Sequence, residues 1–176
     1  MEINARLFEV KEFYLDTVVA NIMGDKDIEK TKQDQDLILE CLAMNESNKP
    51  QIKECSMKLA AMMICDVIEK NNRFFDDLTE KKSVLVFLPG LFEIFEFMDY
   101  INETYTHQWV RERFELIPLH SSLAEEEQDR AFKSSQKLDG KRKVIIATNI
   151  AESSITIPDI KYVIDFMLSK ELYYDP

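Results

Sequence analysis

The sequence predicts an α/β fold: a mostly parallel sheet flanked by helices. Two observations carry that reading. Residues 84–88 (VLVFL) and 144–147 (VIIA) are unbroken apolar runs, as expected of strands covered on both faces in a parallel sheet. Between them Leu91, Ile94, Phe95, Met98, Ile101 and Tyr105 recur at helical spacing, so strand, helix and strand alternate along the chain. At 176 residues the chain has the size of one domain with a sizeable core, and we read residues 1–176 as a single unit.

The elements follow in order. Residues 7–19 carry Phe8, Val10, Phe13, Tyr14, Leu15 and Val18, types that suit an extended strand leading into the domain. Residues 24–50 turn polar and charged and read as an acidic surface insertion, with Leu37, Ile38, Cys41 and Leu42 as a short helix; a plain surface loop and a partner-docking segment are both open readings. Over residues 52–68, Ile52, Cys55, Leu59, Met63 and Val67 fall near helical spacing, which predicts an amphipathic helix with this face on the sheet. Met57, Met62 and Met63 read as core filler, and Phe74 and Phe75 are expected to pack down after the helix.

Residues 84–88 form the first buried strand, ended by Pro89 and Gly90; Gly90 suits a close approach of backbone to ligand or a positive φ. In the helix that follows, the additional aromatics Phe92 and Phe97 read as core or domain interface. Residues 114–119 are a third strand. After it Ser122 and Glu125 have the spacing of a capping box, and Glu125, Glu126 and Glu127 sit in a first helical turn, where the helix dipole favours anions. His120 reads as a loop residue and Arg130 as half of a structural ion pair. Lys141, Arg142 and Lys143 form the one basic cluster and read as the solvated start of the next strand, residues 144–147. A last strand, residues 162–164, ends in Asp165.

Composition narrows the classes. The 45% hydrophobic and 31% charged fractions are those of a globular protein. No apolar run reaches the length of a membrane span and no secretory leader opens the chain, so a non-membrane, intracellular protein is expected. Cys41, Cys55 and Cys65 have no CxxC spacing, and His107 and His120 lie far from them, which predicts reduced thiols and no metal site. The net charge of -11 lowers the expected affinity of this piece alone for nucleic acid, since such affinity usually comes from Lys and Arg neutralising phosphates. Contact through backbone N–H groups, hydroxyls and helix starts remains open.

Small polar residues stand where the predicted strands end: Gly90, the pair Ser121 and Ser122, and Thr148 with Asn149. Ligands of open α/β sheets collect at such carboxyl ends. Ser121 and Ser122 have a structural reading as helix caps and a functional one as phosphate contacts. Neither a GxxxxGK[ST] phosphate cradle nor a DEAH tetrapeptide occurs, so the fragment is predicted to be without catalytic residues and inactive as an ATPase by itself. Two lone histidines and three scattered cysteines do not assemble a nucleophile, base and orienter, which leaves a small-molecule enzyme with little support.

Residues 147–165 (ATNIAESSITIPDIKYVID) resemble motif V and the following strand of the second RecA-like domain, the helicase C-terminal domain, in the DEAH/RHA group of superfamily 2 RNA helicases. Residues 84–90 (VLVFLPG) resemble motif IV, and residues 118–132 (PLHSSLAEEEQDRAF) resemble motif IVa with its helix, in the order that group requires. Within it, the VIDF ending and residues 7–18 (LFEVKEFYLDTV) are most similar to the Spindle-E type, germline helicases with a tudor domain that act in the piRNA pathway. The resemblance implies a RecA-like, P-loop NTPase-type sheet, the second half of a two-domain motor that stops before motif VI. It implies RNA contacts at Gly90, Ser121, Ser122, Thr148 and Asn149, and nucleotide contact or sensing at Ser154, Thr156 and Asp159. Many members carry an acidic residue two positions after the threonine; Pro158 stands there and Asp159 follows, which puts the ribose contact in question. ATP and Mg2+, held mainly by the first RecA-like domain in cis, are the implied cofactors. Single-stranded RNA and piRNA-pathway proteins are the implied partners, and the cytoplasm, with perinuclear germ granules (nuage), is the implied location. A degenerate RecA-like scaffold for protein interaction, without motor activity, is the competing reading.

Overall fold

The computed structural model describes residues 10–24, 30–42, 52–71, 82–133, 140–149, 157, 159–168 and 170. Its elements are α1 (Leu15–Gly24), α2 (Lys32–Leu42), α3 (Glu54–Met62), a π-helical continuation of α3 (Met63–Asn71), β1 (Ser83–Phe87), α4 (Leu91–Tyr105), α5 (His107–Arg113), β2 (Phe114–Leu119), α6 (Glu125–Phe132), β3 (Arg142–Ala147) and β4 (Ile160–Asp165). The four strands form one sheet in the order β2-β3-β1-β4, and every neighbouring pair is parallel. The α/β class read from the apolar runs is the observed one. Strand β3 is interior and buried at all six positions, which is why its sequence does not alternate.

Each strand sends alternate side chains to opposite layers. Val84, Val86, Val144, Ile146 and Phe114 join one core with the α3 continuation, α4 and α5, whereas Leu85, Ile145, Ala147, Ile117 and Leu119 join Ala131 of α6 in another. β4 changes face along its length. Ser83 pairs with Ile160 but Val84 pairs with Tyr162, so the extra residue of this bulge turns Ile160 to the α6 layer and Tyr162 to the other.

The first third of the chain departs from expectation. Residues 15–19, read as extended, belong to α1. Val19 and Ile22 are buried from one side of that helix, so a 3.6-residue period won over the strand propensity of the residues. The short helix expected around Ile38 and Cys41 is α2, and it is docked: both residues are fully buried in a second core with Val19, Ile22, Cys55, Leu59, Met62 and Val67. The face of α3 that the spacing assigned to the sheet, Cys55, Leu59 and Val67, therefore packs on α1 and α2. Its other face, Met57, Ala60, Ala61, Ile64, Cys65 and Ile68, covers the sheet. A helix apolar on both sides is a central layer, and one face of its pattern cannot reveal which neighbour it meets. Met57 and Met62 are core filler, as read. Burial pushes the Cys41 thiol up to about 12, with Cys55 next in effect, and all three cysteines are buried and free of disulfides. Phe74 and Phe75 lie outside the described residues.

A second correction concerns the basic cluster. Arg142 and Lys143 are buried rather than solvated. The Arg142 guanidinium pairs with Glu69 at 2.9 Å and donates to the Lys82 carbonyl at 2.6 Å, tying the start of β3 to the π-helical segment and to the start of β1. Lys143 points to the opposite layer, where its Nζ donates to the Ala131 and Lys133 carbonyls at 3.0 and 2.8 Å. Those carbonyls end α6, so a buried ammonium satisfies acceptors that the helix leaves over. Burial pushes the Lys143 ammonium below the ordinary lysine range, and the Asp159 carboxylate opposes that shift. Arg130 does form the structural ion pair expected of it, with Glu115.

Helix α4 buries Ile94, Phe97 and Ile101, while Phe92 and Phe95 of the same helix are exposed. At Thr106, with φ of 61°, the chain turns from α4 into α5. Just before it, the Tyr105 hydroxyl donates to Asp66 at 2.5 Å, and its ring stacks on Trp109 at 5.4 Å.

Two expected outcomes follow from these contacts. Arg142→Ala removes the buried charge partner of Glu69, whose side chain is 7% exposed, and should lower stability by about 3–5 kcal/mol in urea titrations. An Arg142→Leu, Glu69→Leu pair should recover most of that loss. For Tyr105, burial and then the Asp66 charge raise the phenol above its ordinary value of 10.0. The folded state holds that proton more tightly than the unfolded chain, so this contribution is complete below pH 10 and falls as pH rises beyond it. Tyr105→Phe should cost about 1–3 kcal/mol at neutral pH, and denaturation should show a shallower loss of stability above pH 10 than the parent chain.

Candidate nucleic-acid interface at the strand ends

Sheet register decides which loops share an edge. Ala147 is level with both Phe87 and Leu119, so β1, β2 and β3 end side by side. Backbone bonds continue the alignment past the strands: Leu88 N–H donates to the Ala147 carbonyl at 2.8 Å, Thr148 N–H to Leu119 at 3.4 Å and Phe166 N–H to Phe87 at 3.4 Å. Gly90, Ser121, Ser122, Thr148 and Asn149, far apart in sequence, all follow these strand ends. That edge is where open α/β sheets meet their ligands.

Each position differs in how it is held. Thr148 is buried at 6% exposure and lies at the floor of the edge, while Asn149 is exposed. Ser121 and Ser122 are exposed in the turn after β2. The capping box does not form: the N-cap of α6 is Ala124, without a side-chain cap. The Ser122 hydroxyl instead meets His120 Nδ1 at 2.8 Å, and the Ser122 N–H donates to the same nitrogen at 3.1 Å. That pattern leaves the imidazole proton on Nε2. Glu125, Glu126 and Glu127 do occupy the first turn of α6, all exposed, and repel anions from that helix start.

Gly90 is the N-cap of α4, and its backbone is extended, with φ of -166°, so conformation alone does not require glycine. A Cβ there would lie 2.7 Å from Glu93 Oε2 and 3.1 Å from Lys170 Nζ, the ends of two flexible side chains that would have to shift to admit it. Those two side chains pair at 2.5 Å. Neither was evident as a site residue in the sequence. Glu93, three positions after Gly90, carried only a helix-start signal, and Lys170 reaches it from 77 positions away.

Asp159 does not join the group. It precedes β4, and its carbonyl accepts the Ser83 N–H at 2.9 Å, which puts it at the opposite edge, where the strands begin. Its φ of 68° marks the turn into β4. β3 ends at one edge of the parallel sheet and β4 begins at the other, so nearness to Thr148 in sequence does not translate into nearness in space. Ser154 and Thr156 lie outside the described residues. Among the described residues no three His, Cys, Asp or Glu side chains converge as metal ligands.

The family model "Helicase conserved C-terminal domain" matches residues 63–174, well over half of the chain and spanning every strand of the sheet. The chain belongs to this family. Its fold is the RecA-like parallel α/β arrangement of a helicase C-terminal domain. Among similar proteins, the human "ATP-dependent RNA helicase TDRD9" is 48% identical over 113 residues, covering 62% of this chain and 8% of the relative. The Aedes aegypti "Probable ATP-dependent RNA helicase spindle-E" is 36% identical over 175 residues, covering 97% of this chain and 11% of the relative. The chain thus spans about a tenth of the length of these relatives. A crystal structure of the E. coli DExH-box NTPase HrpB is 28% identical, with a TM-score of 0.47, over 68% of this chain and 12% of that one.

In this helicase domain the Ser122 hydroxyl caps no helix, so Ser122→Ala should change stability by less than about 0.5 kcal/mol, against about 1 kcal/mol for loss of a true N-cap. Thermal denaturation of the two chains checks this directly.

Proposed function

We propose that the chain is the second RecA-like domain of an ATP-dependent RNA helicase and that its strand-end edge grips the backbone of single-stranded RNA. The observation that carries the reading is the shared register of β1, β2 and β3, which gathers Gly90, Ser121, Ser122, Thr148 and Asn149 on one edge. Hydroxyls, a side-chain amide and backbone N–H groups recognise phosphate and sugar with little regard for base, which fits an enzyme that moves along a strand. A net charge of -11 fits a domain that holds RNA as one part of a larger motor.

In this proposal the first RecA-like domain, in cis, supplies the phosphate cradle and the ligands for Mg2+, and Ser154 and Thr156 face the nucleotide across the cleft. Opening and closing of the two domains would shift the grip on RNA. We further propose a role in piRNA-mediated transposon silencing in the germline, with piRNA-pathway proteins as partners and cytoplasmic, perinuclear germ granules as the location. Support for this finer reading comes from the resemblance of residues 7–18 and 163–166 to the Spindle-E type, and from a match to the mosquito spindle-E relative that runs over 97% of the chain.

The test is oligouridylate affinity together with melting temperature. Asn149 is exposed, so Asn149→Ala should weaken RNA binding by roughly ten- to a hundred-fold at unchanged melting temperature, the effect of a lost charge-assisted bond of about 1.5–3 kcal/mol. Thr148 is buried, so Thr148→Ala should weaken binding and also lower the melting temperature, while Thr148→Ser should restore affinity. Affinity losses that merely track stability across the three variants, or an Asn149→Ala chain that binds like the parent, would favour the interaction scaffold over the motor domain.

A further inference from the structure

The start of α4 holds an arrangement that the family-level reading leaves unexplained. Glu93 Oε1 is paired with Lys170, but Glu93 Oε2 is buried and accepts no hydrogen bond among the described residues. A buried carboxylate oxygen without a donor is unfavourable. Helix capping does not account for it, since a capping carboxylate at this third helical position would accept the N–H of the N-cap residue. Here Oε2 instead lies 2.7 Å from where a Cβ on Gly90 would stand, closing off the backbone at that point. Lys170 Nζ stands 3.1 Å from the same place, and its side chain is 61% exposed.

The Glu93 carboxylate thus occupies the place an anion would take: against a glycine backbone, at the first turn of a 15-residue helix, and on a lysine ammonium. Uncapped N–H groups and the helix dipole favour negative charge there. A carboxylate resting on a lysine at such a place has the charge, and part of the shape, of a phosphate oxygen pair.

We propose that Glu93 is an intramolecular stand-in for an RNA backbone phosphate and that Lys170 is the phosphate ligand it holds in reserve. An incoming phosphate competes with Glu93 for Lys170 and for the backbone at Gly90, and Glu93 then swings to solvent, which also relieves its unpaired oxygen. The inference rests on the reading that this strand-end edge meets RNA. It goes beyond that reading by adding a cation to an edge whose other contacts are neutral, and by making the edge self-covered in the absence of RNA.

The two partners give effects of opposite sign, which a purely structural ion pair would not. In fluorescence anisotropy with a labelled oligouridylate, Lys170→Met should weaken binding several-fold. It should also reduce the slope of log affinity against log salt by about 0.7, the value for one phosphate contact to a single strand. Lys170→Arg should retain binding. Glu93→Gln should tighten binding several-fold, because the amide is a poor competitor for the ammonium and no longer repels phosphate. Melting temperatures of the variants separate these effects from folding. The proposal is overturned if Glu93→Gln weakens binding, or if neither substitution changes affinity while Asn149→Ala does; in that second case the RNA edge stands and only the stand-in falls. Failure of the parent chain to bind oligouridylate would remove both. Inorganic pyrophosphate provides the last arm: if it alone shows the variant pattern, the phosphate is that of a small anion and the RNA assignment is overturned.

Discussion

Strand β3 is the constraint on which the structure depends. It is hydrogen-bonded on both edges, by β1 and β2, and covered on both faces, so its peptide groups have no water to fall back on and its side chains no exposed position. In such a place every polar group must find a partner within the protein. Arg142 and Lys143 meet that condition in opposite layers. One pairs with Glu69 and backbone carbonyls on the α3 side, and the other donates to the last carbonyls of α6. The two cations therefore pin both helical layers to the same strand.

That anchoring has a consequence at the other end of the strand. Because β3 is fixed in register with β1 and β2, the loops that follow all three are level, and Thr148 emerges beside the turns that carry Gly90 and Ser121. Interior burial and edge chemistry are two ends of one element. The edge carries hydroxyls, an amide and a lysine tied to a carboxylate, with the exposed Glu125, Glu126 and Glu127 at the neighbouring helix start.

The helical layer over the sheet is built in depth. α3 lies between the sheet and the α1–α2 pair, apolar toward both, and residues 32–42 of the charged segment are structural where Ile38 and Cys41 enter the second core. Their burial gives part of this segment a packing role as well as a surface.

The sequence by itself determined the parallel sheet and the family. Unbroken apolar runs are tolerated only by strands covered on both faces, and small polar residues at their ends had few other places to be. The placing of Gly90, Ser121, Ser122, Thr148 and Asn149 at strand ends was legible for that reason. Tertiary structure alone decided the rest, because the deciding contacts are long in sequence and short in space. Lys141, Arg142 and Lys143 read as a solvated cluster until Glu69 and the end of α6 are brought to them. Residues 15–19 have strand-like types yet join a helix, since what they pack against is another helix. Asp159 sits near Thr148 in the chain but a full strand length away, because in a parallel sheet β3 ends at the edge opposite to the one where β4 begins. Glu93 and Lys170 are 77 positions apart, and only folding sets them together over Gly90.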